Sequence, residues 1–387
     1  MYDSQTIVSR LTPRGKSAIA VLGLAGADAW KIILGSLRPR GKAKLPPLPV
    51  AGSLFIGRMG EGAGDEVVVH VVSDNPILVE VNPHGGVSVV EMLLNFFASR
   101  GARLVDWQEY IKATAVDRID ALAQLTLNQC SLQGPTEVVL GQLNGAFKAW
   151  LDKWLITVRQ GDLGLAKAAL ESMMYWKQLA SHLIQPWKIV IAGKTNAGKS
   201  SLMNCIAGYQ RSIVSPLEGT TRDVLWLQTA IHGWPFAFAD TAGLRASSDM
   251  LETGGMELGK IAMADADLCL WVIDATVPHC VMPAEIDPLK VLKVFNKMDL
   301  CHKSETSESM GGLCVSAVSG MGLDELLEGV FEKLIPVRPA FGEPVPFHSE
   351  LVKNLESSLI CLDNKLIEDL FLIWEPWLAG KNLLEMH

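Results

Sequence analysis

Residues 193–200 read Gly-Lys-Thr-Asn-Ala-Gly-Lys-Ser and fit G-x-x-x-x-G-K-[ST] at every fixed position. That spacing can hold phosphate. Glycines let the backbone curl until successive N–H groups face inward around an anion, and a following helix adds the partial positive charge of its N-terminus. Lys199 can reach the β- and γ-phosphates, and the Ser200 hydroxyl can hold Mg²⁺. The motif needs a strand before it and a helix after it. Ile189-Val190-Ile191-Ala192 is a short apolar run that suits the strand, and Ser201-Leu202-Met203-Asn204 opens a helix. The candidate phosphate-binding set is Gly193, Asn196, Ala197, Gly198, Lys199, Ser200 and Ser201.

Further residues extend the chemistry. Gly219-Thr220-Thr221-Arg222-Asp223 places hydroxyls where Thr221 could join Ser200 on Mg²⁺ and sense the γ-phosphate; a plain loop explains this tract as well. Phe236-Ala237-Phe238-Ala239 leads into Asp240-Thr241-Ala242-Gly243. An acid at a strand end can hold Mg²⁺ through water, and the Gly243 N–H can bond the γ-phosphate and release it after hydrolysis. In Asn296-Lys297-Met298-Asp299, the Asp299 carboxylate can accept from guanine N1–H and N2–H₂, a donor pair adenine lacks. Ser316-Ala317 follows another short strand and could back the base with main-chain N–H groups. Each later tract alone also fits a capped strand end. Together, in this order, they point to GTP with Mg²⁺, with Lys199 and Thr221 as catalytic candidates.

These residues need a parallel sheet covered on both faces, and the chain between 187 and 334 alternates strands and helices accordingly. Strands are expected at 187–192, 224–231, 235–239, 268–274, 290–295 and 312–316. Before it, residues 119–186 carry apolar side chains at helical steps, among them Val138, Leu140, Leu143, Phe147, Leu151, Trp154 and Leu155. Pro336, Pro339, Pro344 and Pro346 mark a linker, after which helical spacing resumes. The fold class expected is α/β: a P-loop GTPase domain (187–334) inserted in an α-helical domain (119–186 plus 335–387). A small α+β domain (1–118) precedes both. In that first domain the spacing predicts strands at 18–22, 66–72 and 77–81 and a helix from Val87 to Arg100.

Composition narrows the class. Of 387 residues, 49% are hydrophobic and 20% charged, enough apolar content for several cores and unlike a disordered chain. A net charge of −8 argues against non-specific coating of nucleic acid. The seven cysteines are scattered without a C-x-x-C pair, which suits a reducing compartment and offers no zinc signature. The first residues lack an apolar signal core, and no apolar run approaches the roughly 20 residues of a membrane span. The expected location is the cytoplasm, with no membrane partner.

The order Gly193–Ser200, Thr221, Asp240–Gly243, Asn296–Asp299, Ser316–Ala317 resembles the translation-factor-related GTPases. The forms Gly219-Thr220-Thr221-Arg222-Asp223 and Asp240-Thr241-Ala242-Gly243-Leu244-Arg245 are similar to those of the MnmE (TrmE) family of tRNA modification GTPases. So are Val81-Asn82-Pro83-His84-Gly85-Gly86-Val87, Ser99-Arg100-Gly101-Ala102-Arg103-Leu104 and Gly141-Gln142-Leu143-Asn144-Gly145-Ala146-Phe147. The resemblance covers most of the chain and is strongest in the nucleotide domain. It implies GTP hydrolysis in tRNA wobble-uridine modification, with a flavin- and NADH-using partner, MnmG. It also implies a homodimer made by the N-terminal domain, and K⁺ beside the nucleotide. The K⁺ ligand falls on Asn196, with the enclosing loop from Ser215 through Leu217 to Thr220. Leu244 stands where many GTPases place a water-orienting glutamine, and the family's glutamate falls on Glu252. Without the resemblance, Glu252 reads as an exposed helix-start residue.

The chain also departs from the family. No cysteine precedes Gly380-Lys381, where the family carries Cys-x-Gly-Lys. Thr12-Pro13-Arg14-Gly15-Lys16-Ser17-Ala18 replaces Thr-Pro-Pro-Gly-Arg-Gly-Gly, which argues against a folate derivative as cofactor. His84 with Gly85-Gly86 could line a pocket or simply occupy a turn. These departures leave an alternative expectation, a GTP-switched interaction protein that has lost the modification chemistry.

Overall fold

The computed structural model describes residues 5–41, 44–62, 64–209, 213–215, 226–240, 265–277, 287–301 and 311–378, with backbone alone at 209 and 213–215. The chain forms two compact units, 1–125 with 375–387, and 126–374.

The first unit is built on a seven-stranded sheet. Its strands are β1 (Ile7–Arg10), β2 (Leu22–Ala25), β3 (Arg38–Pro39), β4 (Leu54–Met59), β5 (Asp65–Asp74), β6 (Ile77–Asn82) and β7 (Arg103–Leu104), in spatial order β3-β4-β5-β6-β2-β1-β7. The helices are α1 (Ala29–Leu34), α2 (Val87–Ala98), α3 (Trp107–Thr114) and α4 (Arg118–Leu127), the last crossing the boundary between the units. Alternation sends Val67, Val69 and Val71 of β5 into a core with Leu93 and Phe97 of α2 and Trp30 and Ile33 of α1. The strand expected at 18–22 starts four residues later. Antiparallel pairing with β1 runs from Arg10↔Leu22 to Ile7↔Ala25, while Ile19 makes only an isolated bridge to His84 and is 60% exposed. Strand β4 carries no clean sequence signal because Gly57 interrupts it. A side chain there would meet the Arg38 carbonyl oxygen at 2.4 Å, so the approach of β3 requires glycine.

The second unit opens with α5 (Gln133–Leu143), α6 (Ala146–Arg159), α7 (Leu163–Met174) and α8 (Lys177–His182). The nucleotide sheet follows, with β8 (Trp187–Gly193), α9 (Lys199–Tyr209), β9 (Ile213–Ser215), β10 (Trp226–Ile231), β11 (Trp234–Asp240), β12 (Leu268–Asp274), β13 (Val291–Asn296), β14 (Leu313–Cys314) and α10 (Leu323–Leu334). Helices α11 (Ser349–Asp363) and α12 (Ile367–Trp374) close the unit. The sheet order is β14-β13-β12-β8-β11-β10-β9; β14 through β11 are parallel, and β10 and β9 add an antiparallel edge. Strands β8 and β12 are buried almost without interruption, as a sheet covered on both faces requires.

The helices on either side of this sheet pack on one another. Phe147 of α6 meets Phe347 edge-on and also contacts Trp374. The Gln142 amide donates to the Glu343 carbonyl and accepts from Val345 N–H. Lys167 pairs with Asp363 at 2.6 Å, and Lys177 with Glu356. Helices that precede the nucleotide sheet in the chain thus pack against helices that follow it, within the one unit 126–374.

Candidate functional site

The ends of β8, β11, β13 and β14 bring the phosphate and base motifs to one edge of the sheet, where open parallel sheets bind their ligands. The loop after β8 takes its shape from two glycines and an asparagine. Gly193 has φ +150°, and a Cβ there would lie 2.2 Å from the Val272 carbonyl oxygen. Gly198 has φ +88°, and its Cβ would lie 2.2 Å from Asn296 Nδ2. Asn196 sits at φ +65°, a left-handed conformation asparagine tolerates better than most residues. Helix α9 starts at Lys199, so its free N–H groups open toward the loop. The Lys199 ammonium, on a side chain nine-tenths buried, donates to the Lys194 carbonyl at 2.9 Å and spans the loop's mouth.

Two candidate Mg²⁺ residues meet. The Ser200 hydroxyl donates to Asp240 Oδ2 at 2.6 Å, joining the helix start to the end of β11. A hydroxyl beside a carboxylate supplies the hard oxygen donors that Mg²⁺ takes. The third, Thr221, lies outside the described residues, as do Leu217, Thr220, Gly243 and Glu252. Ser215 is placed on β9 by its backbone alone.

On the base side, Asn296 does not face an open pocket. It is buried and ties two loops together: its Nδ2 donates to the Ala197 carbonyl at 3.0 Å and its Oδ1 accepts from Ala317 N–H at 3.0 Å. Asp299 is exposed, and one of its oxygens accepts from the buried Ser316 hydroxyl at 2.6 Å, which orients the carboxylate. The main-chain N–H groups expected to back the base are engaged within the protein, Ser316 to the Met321 carbonyl and Ala317 to Asn296. The described contribution of this loop is therefore a hydroxyl on Asp299. Lys297, at φ +68°, pairs with Asp274 at 2.6 Å. Spacing did not single out Asp274, because only the pairing of β12 with β13 sets it beside Lys297.

In the first unit, His84 Nδ1 lies 2.8 Å from Asp65 Oδ1, and its N–H donates to Asp65 Oδ2 at 2.9 Å. A cavity of about 850 Å³ in the same unit is lined by Arg10, Thr12 to Gly15, one face of α2 and the start of α3; His84 is not among its lining residues. Among the described residues, no cluster of three or more His, Cys, Asp or Glu forms a metal site, and no helix is long and apolar enough to cross a membrane.

The chain is similar in sequence to known GTPases. The family described as 50S ribosome-binding GTPase matches residues 188–302. The tRNA modification GTPase MnmE of Thermotoga petrophila is 31% identical over 371 residues, covering 85% of this chain and 82% of its own. That of Nitratidesulfovibrio vulgaris is 28% identical over 413 residues, covering 92% and 87%. Among solved structures, the G domain of the T. maritima FeoB iron transporter matches at 23% identity, with 38% of this chain and 99% of that one covered and a TM-score of 0.28.

Proposed function

This chain belongs to the MnmE family of tRNA modification GTPases, and on that premise we propose that its GTP hydrolysis serves modification of the tRNA wobble uridine. It is a GTPase that uses GTP and Mg²⁺. The observation that carries the reading is the convergence, at one sheet edge, of the 193–200 loop, the Ser200–Asp240 contact and the Asp299–Ser316 contact. In our assignment the loop amides, Lys199 and the start of α9 hold the phosphates. Ser200 and Asp240, with Thr221, would hold Mg²⁺, which would supply positive charge beside the phosphate oxygens. Asp299, held by Ser316, selects guanine, and Asn296 keeps the phosphate and base loops in register.

K⁺ beside the nucleotide is part of the proposal. Asn196 fits it: the side chain is exposed on the loop and carries an amide oxygen, a suitable hard donor. We assign the remaining ligands to Ser215, Leu217 and Thr220. Glu252 is assigned to orient the attacking water, so Glu252→Ala should bind GTP normally and turn it over slowly. We propose further a homodimer made through the N-terminal domain (1–118), an MnmG-like flavoprotein partner, and domain limits at 119–186 plus 335–387 and at 187–334. We assign no folate derivative to the cavity beside Thr12 to Gly15, because Arg14, Lys16 and Ser17 replace the family's residues there.

Two measurements test the reading. GTP turnover by the purified chain should rise when K⁺ replaces Na⁺; equal rates would remove K⁺. Mass spectrometry of wobble nucleosides from cells lacking the gene should show loss of the modified uridine; an unchanged profile would remove the tRNA assignment.

A further inference from the structure

The strand ends beside the guanine-selecting loop hold one carboxylate with no assigned role. Asp274 closes β12 and is the direct cross-strand partner of Asn296, the last residue of β13. The Ala275 N–H donates to the Asn296 carbonyl at 2.9 Å, which extends the pairing past the strand ends. The carboxylate is held from two sides. Its Oδ1 accepts from the Thr276 N–H at 3.0 Å and from the Thr276 hydroxyl at 2.7 Å. Its Oδ2 lies 2.6 Å from the Lys297 ammonium. Burial pushes the Asp274 carboxyl pKa up, but the bonds from Lys297 and Thr276 outweigh it and hold the group below the ordinary 3.8, so it is ionised at neutral pH.

Lys297 immediately precedes Met298-Asp299, and its left-handed backbone is where the strand turns into the base loop. A lysine stem is flexible, and ordering it only when a base arrives would subtract from affinity. A stem already tethered at its ammonium loses that freedom in the empty protein, at a loop position two residues before Asp299.

We propose that Asp274 is a positioning residue for nucleotide retention: it anchors the Lys297 ammonium so that the lysine stem forms a preset wall of the guanine pocket. Asp274 touches neither phosphate nor base in this role and acts through Lys297. The inference rests on the assignment of GTP to this site and adds a residue that determines how long the nucleotide stays.

The test uses the full chain and a fluorescent N-methylanthraniloyl GDP, chased with excess GDP. Asp274→Asn keeps the size and one acceptor oxygen but removes the charge. It should speed release about tenfold, the scale of one charge-assisted hydrogen bond. KM for GTP should rise in parallel while kcat at saturation stays near that of the parent. The same substitution in a Lys297→Ala background should change release less than about twofold, because the group through which it acts is gone. Equal effects in the two backgrounds, or no effect in either, would overturn the proposal. Thr276→Val, which removes one bond to the carboxylate and leaves its charge, should speed release by a smaller factor of about two to three. Read in the same two backgrounds, it decides the matter if Asp274→Asn does not fold. If the parent chain retains no labelled GDP, the guanine assignment falls and takes this inference with it. If the parent retains it and Asp274→Asn releases it at the parental rate, only this inference falls.

Discussion

At residue scale, the site depends on close approaches that allow one side chain and no other. Gly198 is one case, since its φ of +88° and the Asn296 amide 2.2 Å from a notional Cβ disfavour a methyl group. Gly198→Ala should therefore distort the phosphate loop, at a conformational cost of about 1–2 kcal/mol before the clash is counted. Calorimetry should show GDP binding weakened by at least tenfold. Asp299 gives a prediction of the opposite kind, a change of preference. Its carboxylate is oriented by the Ser316 hydroxyl at 2.6 Å and matches two guanine donors. Asp299→Asn supplies a donor and an acceptor, so it should lose GTP and gain xanthosine triphosphate, which carries an acceptor where guanine carries its amino group. Competition binding with the two nucleotides reads this directly; an unchanged ratio would remove Asp299 from base selection.

At the scale of elements, the helical domain depends on how its helices start and meet. Helix α11 is capped by His348, whose Nδ1 accepts from the Glu350 N–H at 3.2 Å. Only a neutral ring nitrogen can accept that bond. Burial lowers the His348 pKa from its ordinary 6.5, and the nearby Glu350 carboxylate offsets only part of that. A histidine with a depressed folded pKa binds fewer protons folded than unfolded just below the ordinary value. Its contribution is therefore complete above about pH 6.5 and is lost as pH falls through the lower, folded value. Thermal melts at pH 7.5 and 5.5 should show a drop that His348→Asn reduces, since asparagine caps helices and does not titrate. An equal drop in both proteins would show that the cap plays no part. The same unit places Trp374 fully buried, its Nε1 donating to the Ser358 hydroxyl at 2.9 Å, so α12 is fastened to α11 by a polar bond inside an apolar layer.

At the scale of the whole molecule, the described site residues all fall in the unit spanning 126–374. A ligand that binds only the native state stabilises it by about 2.7 kcal/mol at a hundred times its dissociation constant. Differential scanning calorimetry with saturating GDP and Mg²⁺ should therefore raise the transition of this unit and leave that of residues 1–125 in place. A uniform rise of all transitions would mean that the units unfold as one.

What the chain's own order of residues settled is local: a strand, a glycine loop and a helix within about twenty positions, and short acid- or hydroxyl-bearing tracts after later strands. These could be read directly because each depends on backbone conformations and hydrogen bonds a few residues apart. The parallel strands were legible for the same reason, as continuous apolar runs at β8, β11 and β12. The tertiary structure alone decided which strand ends are neighbours. That choice placed Asn296 against Ala197, Ser316 against Asp299 and Asp274 against Lys297, pairs that no spacing rule connects. It also moved β2 to residue 22 and drew β4 into the first sheet, where Gly57 had hidden it. Contacts distant in sequence arise when apolar faces choose their partners, and that choice belongs to the folded chain as a whole.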